Sequence, residues 1–441
     1  MPKWPPREST SRMAVRSGTP TVWQNPSRSP AEAALAEARI NSTDVEAARA
    51  RWRRFAPLLV RLFPEELSGS NGYVDSPLIQ LDRSQHGHSL FHLPGRVWIK
   101  TDDTLPIAGS VKARGGVYEV LVHAERIAFQ EGLVGTDSDY GVLADVHSRE
   151  VFSRYRIVVG STGNLGLSVG LIAKALGFGA EVHVCAEAKG WKKRALEAVG
   201  AKLVEHRGDY ACALAAARTS AGASPVARFV DDEKSMDLFL GYATAASQLA
   251  GQLATAGRSV SLDHPLTVFL PCGVGGAPGG ICFGLKLLFG DAVVCVLVEP
   301  VQAPSMLVQL ASGLDRSVSV YEWGLTNQTL ADGLATPVAS MLVAELIREL
   351  VDAVVTVTDD ELLHWIRRLW TAGGRRLEPA GASGFPGSQR YFDTLHSATP
   401  SENQSPARDQ NVVIWATGGG SMPDAELSRL LALAGRAVEC A

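Results

Sequence analysis

The sequence has few features of membrane-bound or exported proteins. No uninterrupted apolar run approaches the roughly 20 residues that cross a bilayer, and the N-terminus has no apolar core of a secretory signal. The six cysteines are scattered, without CxxC pairs or the spacing of a small disulfide-rich scaffold. We therefore expect a cytoplasmic protein in a reducing compartment that has no membrane partner.

An excess of positive charge is also missing. The 42 lysines and arginines are outnumbered by 46 acidic residues, so the formal net charge is -4. This balance provides no broad positive field for a polyanion and argues against a nucleic acid partner. With 441 residues, 46% of them hydrophobic, the chain exceeds a single-domain size, which favours two domains that share one cleft.

The first 30 residues differ in composition from the rest. They carry five basic residues and one acid among prolines and serines, a superficial likeness to a transit peptide. Prolines interrupt an amphipathic helix, so residues 1–30 are predicted to be a poorly ordered arm instead.

Short β-rich runs alternate with helix patterns from about residue 156 onward. One series extends from RIVVG to RFVDD, and a second from PLTVFLP to NVVIWA. Parallel strands need crossover connections, so this alternation predicts two doubly wound α/β domains. A packing helix is predicted from Ser42, and the polar stretch 395–410 is predicted to be an exposed loop.

In open α/β sheets, ligands bind where strands end and loops lead into helices. Three loops have this form, and a glycine-rich one among them is suited to an anion, because backbone amides without side chains can converge on a phosphate. A tight turn alone would need only one or two glycines. The candidate residues are Ser161, Thr162, Gly163 and Asn164 after RIVVG; Gly273, Gly275, Gly276, Gly279 and Gly280 after PLTVFLP; and Thr417 after NVVIWA.

A dinucleotide is the main alternative ligand for the glycine-rich loop. Glu299, at the end of VLVE, imitates the ribose-binding acid of a Rossmann unit. That interpretation requires GxGxxG, but Pro278 occupies the place of the third glycine. A nucleotide-binding P-loop would need Gly-Lys-Ser/Thr after the glycines, which the chain lacks there.

Lys112 lies in the segment GSVKARGG. Most lysines at helix starts are solvated surface charges. Here small residues surround the lysine, and the preceding segment has little charge to attract water. A desolvated lysine loses its proton more readily and becomes the neutral amine that condenses with an aldehyde. The segment therefore predicts a lysine that forms a Schiff base.

Five segments, taken together and in order, closely resemble the bacterial D-serine dehydratases, which are pyridoxal phosphate enzymes of fold type II (tryptophan synthase β-like). The resemblance extends from about residue 20 to the C-terminus. The segments are KTDDTLPIAGSVKARGGVYEVL, GSTGNLGLSVG, FVDDEKSMDLFLGY, LPCGVGGAPGGICFGLKLLFGDAVVCVLVEP and WATGGGSMP.

The resemblance implies a role for each candidate residue. Lys112 would bind pyridoxal phosphate covalently, and Asp232 would lie near the substrate hydroxyl, although a polar strand end is an alternative. The resemblance also implies that Asn164 contacts the ring hydroxyl of the cofactor and that Thr417 contacts its pyridine nitrogen. The substrate carboxylate would bind to Ser161, Thr162 and Gly163. The cofactor phosphate would bind to the backbone of Gly273, Val274, Gly275, Gly276 and Ala277.

The implied reaction is removal of water from D-serine, and more slowly D-threonine, to give pyruvate and ammonia from serine. An L-serine/threonine dehydratase or a racemase of the same fold stays an alternative, and a nicotinamide-binding protein is a remote one. Lys112 is the first candidate for the base that removes the α-proton and Thr162 the second. Glu299 is a candidate ligand of a monovalent cation or a buried cap.

The resemblance also implies a monomer with a larger cofactor domain, residues 31–155 and 235–441, and a smaller mobile domain, residues 156–234. Two residues depart from the family pattern. Ala277 replaces a glycine that is frequent in the loop, and Ala380 stands where a serine is expected. Either could adjust affinity or substrate choice.

Overall fold

The computed structural model describes residues 9–81, 93–161, 163–208, 210–398 and 410–439. Thr162 and most of the predicted loop 395–410 lie outside the described residues. Internal contacts divide the chain into two compact units. The seven-stranded unit comprises Met1–Asn41, Ser76–Thr104 and Ala246–Ala441, and the four-stranded unit comprises Ser42–Asp75 and Leu105–Ala245.

The seven-stranded unit is built on a mixed sheet in the order β1-β10-β9-β8-β11-β3-β2. The five central strands are parallel, and β1 and β2 pair antiparallel at the two edges. The strands are β1 (Val22–Gln24), β2 (Leu78–Gln80), β3 (Arg96–Thr101), β8 (Leu266–Pro271), β9 (Val293–Pro300), β10 (Ala353–Val357) and β11 (Asn411–Ala416).

Ten helices belong to the described part of this unit: α1 (Ser9–Arg16), α2 (Ala31–Ala36), α11 (Ala245–Thr255), α12 (Gly276–Phe289), α13 (Ser305–Ser312), α14 (Met341–Ile347), α15 (Asp359–Gly373), α16 (Pro379–Ala382), α17 (Gly384–Ala398) and α18 (Asp424–Glu439). Every residue of β8, β10 and β11 is buried. Helices on both faces of a parallel sheet explain why these strands are almost continuously apolar.

The four-stranded unit contains an all-parallel sheet in the order β6-β5-β4-β7. Its strands are β4 (Arg156–Gly160), β5 (Gly179–Cys185), β6 (Lys202–His206) and β7 (Ala227–Val230). Its described helices are α3 (Ser42–Leu62), α4 (Pro64–Leu67), α5 (Lys112–Gln130), α6 (Val146–Phe152), α7 (Asn164–Leu176), α8 (Gly190–Ala198), α9 (Tyr210–Gly222) and α10 (Met236–Ala243).

The predicted α/β class with parallel sheets is confirmed, and so is the packing helix from Ser42. The division into units differs from the predicted domain limits, because residues 42–75 and 105–155 belong with the four-stranded unit. Helix α5 packs against α3, α7 and α10, so helices from before the β-rich series complete this unit. Lys112 therefore lies in the same unit as Ser161 and Asp232.

The prediction of a poorly ordered arm does not hold for the described part of residues 1–30. Strand β1 pairs with β10, and Trp23 is buried. The Asn25 amide donates to the carbonyls of Arg348 and Val351, at 2.7 Å in each case. The prolines of this segment flank a short edge strand, where a missing amide hydrogen is tolerated.

In the part of the chain that the structure describes, no helix has the length and apolar character needed to cross a membrane.

Candidate functional site

Lys112 is the first residue of α5. Its side chain is 21% exposed, and its Nζ lies 3.3 Å from Oδ2 of Asp232, two residues beyond the end of β7. The structure thus brings together two residues that the sequence analysis selected separately. The other carboxylate oxygen of Asp232, Oδ1, is buried and has no hydrogen-bond partner among the described residues.

The glycines after Lys112 allow close packing of helices. A Cβ atom on Gly115 would lie 2.4 Å from two atoms of the Tyr242 ring, and one on Gly116 would lie 3.0 Å from Cδ1 of Leu165. Tyr242 is fully buried in α10, and Nζ of Lys112 lies 6.0 Å from the centroid of its ring. The glycines after Lys112 are therefore required by helix packing.

Sequence reasoning did not select Tyr242, because an aromatic residue in the apolar helix MDLFLGYA is usually part of the core. Its hydroxyl is buried and lacks a hydrogen-bond partner in the described chain. Burial, followed by the negative charge of Asp232, raises the pKa of Tyr242 well above its ordinary value. The phenol therefore keeps its proton at neutral pH.

The turn from Ser161 to Asn164 joins β4 to α7, at the carboxyl end of the four-stranded sheet. The Ser161 amide donates to the carbonyl of His183 at 2.9 Å, and the Gly163 amide donates to Oγ of Ser161 at 3.3 Å. Gly163 caps α7 without a side chain, and Asn164 is the first helical residue. The positive end of the helix dipole therefore faces this turn. Thr162 lies outside the described residues.

A buried lysine lies beside the same turn. Lys192, in the first turn of α8, is only 2% exposed, and a Cβ atom on Gly163 would lie 3.8 Å from its Nζ. Sequence reasoning missed it, because the dipeptide Lys-Lys in an amphipathic helix indicates surface charge. The next residue fits that pattern, since Lys193 pairs with the exposed Glu205 at 2.7 Å.

In the seven-stranded unit, the glycine-rich loop connects β8 to α12. Gly275 has a left-handed φ of 111°, and a Cβ atom there would lie 2.3 Å from Cε of Met306. The carbonyl of Val274 accepts from the Ser340 amide at 2.9 Å. Within the described ranges, the amides of residues 273–277 have no acceptor, and Pro278 has no amide hydrogen. These amides at the start of a helix fit a phosphate group.

Thr417 is half-buried directly after β11. Strands β8 and β11 are parallel neighbours, so Thr417 and the glycine-rich loop lie at the same edge of the sheet. The Gly418 carbonyl accepts from the Glu378 amide at 3.1 Å, which joins the Thr417 loop to α16. Ala380 lies buried in α16, and a Cβ atom on Gly333 would lie 3.2 Å from its methyl group.

Glu299 is the penultimate residue of β9 and is fully buried. Its two oxygens accept from the amides of Met306 and Leu307, at 2.8 and 2.9 Å, in the first turn of α13. Burial raises its pKa to about 8, against the effect of these amides. The contacts are those of a helix cap, the second of the two roles predicted for Glu299. No cluster of three or more metal-ligating side chains occurs in the described segments.

Each unit, taken by itself, carries groups of a kind that can bind a part of pyridoxal phosphate. The four-stranded unit has an amine at Lys112 and a helix N-terminus at Asn164, and the seven-stranded unit has converging amides and a threonine. The comparison with family models agrees: residues 70–418 match the family described as pyridoxal-phosphate dependent enzyme. The chain belongs to this family.

Relatives share most of the chain. A protein named probable D-serine dehydratase from Pseudomonas paraeruginosa (strain DSM 24068 / PA7) is 48% identical over 417 residues, 93% of each chain. Another with this name, from Chromobacterium violaceum, is 46% identical over 423 residues, 93% of this chain and 92% of the other.

Among solved structures, the holo diaminopropionate ammonia lyase from Escherichia coli has a TM-score of 0.70 at 17% identity. The similarity covers 94% of this chain and 97% of that one. The predicted fold type and the predicted cofactor are confirmed.

Proposed function

We propose that this enzyme is a D-serine dehydratase (D-serine ammonia-lyase) that converts D-serine to pyruvate and ammonia, and also accepts D-threonine. The observation that carries the proposal is the pair of Lys112 and Asp232, with Nζ 3.3 Å from Oδ2, in a chain that is 48% identical to a relative of that name. The pair places the Lys112 amine beside a carboxylate in a partly buried environment.

The cofactor, when bound, supplies the electron sink that makes the α-proton of an amino acid acidic. Lys112 would hold it covalently, and the amides of residues 273–277 would bind its phosphate. Thr417 would contact the pyridine nitrogen and Asn164 the ring hydroxyl. The free amides of the glycine-rich loop and the left-handed Gly275 support the phosphate contact.

The chain's own residues would then bind and orient the substrate. Ser161, Thr162 and Gly163 would hold its carboxylate at the N-terminus of α7. The ammonium group of Lys192, close to Gly163, adds positive charge beside this turn. Asp232, with one oxygen near Lys112, would face the substrate hydroxyl with the other.

Lys112 is the first candidate for the group that would take the α-proton, because an amine that holds the cofactor would lie close to the substrate bound there. Thr162 is the alternative base. A monovalent cation at Glu299 stays a proposal, and the two amide contacts of its carboxylate favour the cap instead.

The enzyme would act as a monomer in the cytoplasm. The five described cysteines are all free thiols, which supports a reducing compartment, and the monomer follows from the family resemblance. Light scattering of the purified holoenzyme measures the mass directly, and a mass near 46.9 kDa is expected.

Pyruvate formation from D-serine and from L-serine, measured separately, tests the proposed function. We expect turnover with D-serine, little with L-serine, and loss of turnover in Lys112→Ala. Preference for L-serine would support the L-serine/threonine dehydratase alternative. Interconversion of the two serine enantiomers, without pyruvate, would support the racemase alternative.

A further inference from the structure

Among the buried polar atoms without a partner in the described part of the protein, two belong to side chains that contact the Lys112 amine. They are Oδ1 of Asp232 and the hydroxyl of Tyr242. A buried polar group without a hydrogen bond is unfavourable, so such atoms are rare in folded proteins. Two of them on side chains that contact the same lysine indicate that a polar ligand binds at this place.

The position of each atom is set by packing. Oδ2 of Asp232 lies 3.3 Å from Nζ of Lys112. The second oxygen of the same carboxylate, Oδ1, does not take part in this contact. The Tyr242 ring lies against Gly115, one turn along α5, with its centroid 6.0 Å from Nζ. Both side chains belong to the four-stranded unit, and both approach Nζ of Lys112.

The two atoms form a complementary pair for a hydroxyl group. A carboxylate oxygen only accepts hydrogen bonds, and a phenol can donate one, whereas an alcohol donates one and accepts others. We propose that Tyr242 donates a hydrogen bond to the β-oxygen of the substrate while Oδ1 of Asp232 accepts the hydrogen of that same hydroxyl. This inference rests on the proposed function and assigns a catalytic residue to it.

The hydrogen bond would matter most while the bond between Cβ and oxygen breaks. The electron pair of that bond moves to the oxygen, and the departing hydroxide combines with the α-proton to leave as water. Tyr242 stabilises the developing negative charge and keeps its own proton, as its burial and the nearby Asp232 charge favour.

The substitution Tyr242→Phe, assayed with two substrates, tests the inference. D-serine loses hydroxide, which needs the hydrogen bond, whereas β-chloro-D-alanine loses chloride, which accepts hydrogen bonds weakly. We expect kcat/KM for D-serine to fall by roughly 100-fold, as for loss of one transition-state donor. For β-chloro-D-alanine it should change less than about 3-fold.

Two variants serve as controls. In Tyr140→Phe, another buried tyrosine loses a hydroxyl that pairs with Glu125 at 3.0 Å, and both substrates should be affected equally. In Tyr210→Phe, the chain loses a second hydroxyl that is buried and without a partner among the described residues. If this variant, and not Tyr242→Phe, separates the two substrates, the assignment to Tyr242 is wrong.

The melting temperature of the substrate-free holoenzyme separates a catalytic role of the Tyr242 hydroxyl from a structural one. If the role is structural, Tyr242→Phe should lower the melting temperature. Removal of an unpaired buried hydroxyl should leave it unchanged or raise it. A lower melting temperature with equal losses on both substrates, or unchanged turnover of D-serine, would overturn the inference. Failure of the unmodified enzyme on D-serine, with turnover of β-chloro-D-alanine, would instead refute the proposed function.

Discussion

The substitution Gly115→Ala tests whether the glycine after Lys112 is required by packing. The added Cβ atom would lie 2.4, 2.4 and 2.9 Å from three atoms of the Tyr242 ring. This ring is fully buried and has no flexible end that could move aside. Because real Cβ atoms do not approach so closely, α5 and α10 would have to shift.

The expected magnitude is the difference between two effects. Alanine inside a helix is favoured over glycine by roughly 0.5–1 kcal/mol. Overpacking of a well-filled core is unfavourable by about 1–3 kcal/mol, and contacts of this length belong at the upper end. We therefore expect a net destabilisation of about 1–2 kcal/mol, which for unfolding of the four-stranded unit of roughly 175 residues lowers the melting temperature by roughly 2–8 °C.

The assay is thermal unfolding of the holoenzyme followed by circular dichroism. Gly251→Ala is the matched control, since Gly251 lies inside α11 with nothing within 4 Å of its Cβ position, and this change should stabilise slightly. In the background Tyr242→Leu, which shortens the side chain, Gly115→Ala should destabilise less. Wild-type stability of Gly115→Ala would refute the packing argument.

Three other changes follow from the structure. Lys192→Met should raise KM for D-serine about 10-fold by removing charge beside the carboxylate turn, whereas Lys193→Met should not; equal KM values would contradict this. The pKa of Glu299 is raised from 4.5 to about 8, so its contribution to stability is full below pH 4.5 and is lost as pH rises through 8. The melting temperature of the wild type relative to that of Glu299→Gln should therefore fall over that range. Parallel curves of melting temperature against pH for the two proteins would contradict this. Gly275→Ala should weaken pyridoxal phosphate binding at least 10-fold, as measured by fluorescence titration. Gly313→Ala is the control and should not weaken binding, because Gly313 also has a positive φ but lies in open space.

Local patterns were sufficient for elements whose burial is complete. Strands β8, β10 and β11 appear in the sequence as continuous apolar runs, because both faces of their sheet are covered. Strands β1 and β2 have three residues each and lie at the sheet edges, where so short a segment carries little pattern. The limits of the two units could not be predicted from local patterns either, because the packing of α5 on α7 and α10 depends on contacts between residues that are far apart in sequence.

In the candidate site, too, some residues could be predicted from local sequence patterns and others depend on contacts between residues far apart in sequence. Lys112 and the glycine-rich loop could be selected from their immediate neighbours, because small residues around a reactive group leave a local pattern. Tyr242 and Lys192 could not, since their sequence neighbourhoods are those of ordinary helices and only the fold places them beside Gly115 and Gly163. For Glu299, the position of α13 favours the cap over the cation ligand.

The central claim is that Lys112 binds pyridoxal phosphate covalently. Borohydride reduction of the holoenzyme, followed by peptide mass spectrometry, locates the attached lysine directly. We predict the phosphopyridoxyl group on the peptide that contains Lys112. The buried alternatives in the described chain are Lys100, Lys192 and Lys286, and the group on any of these would contradict the account.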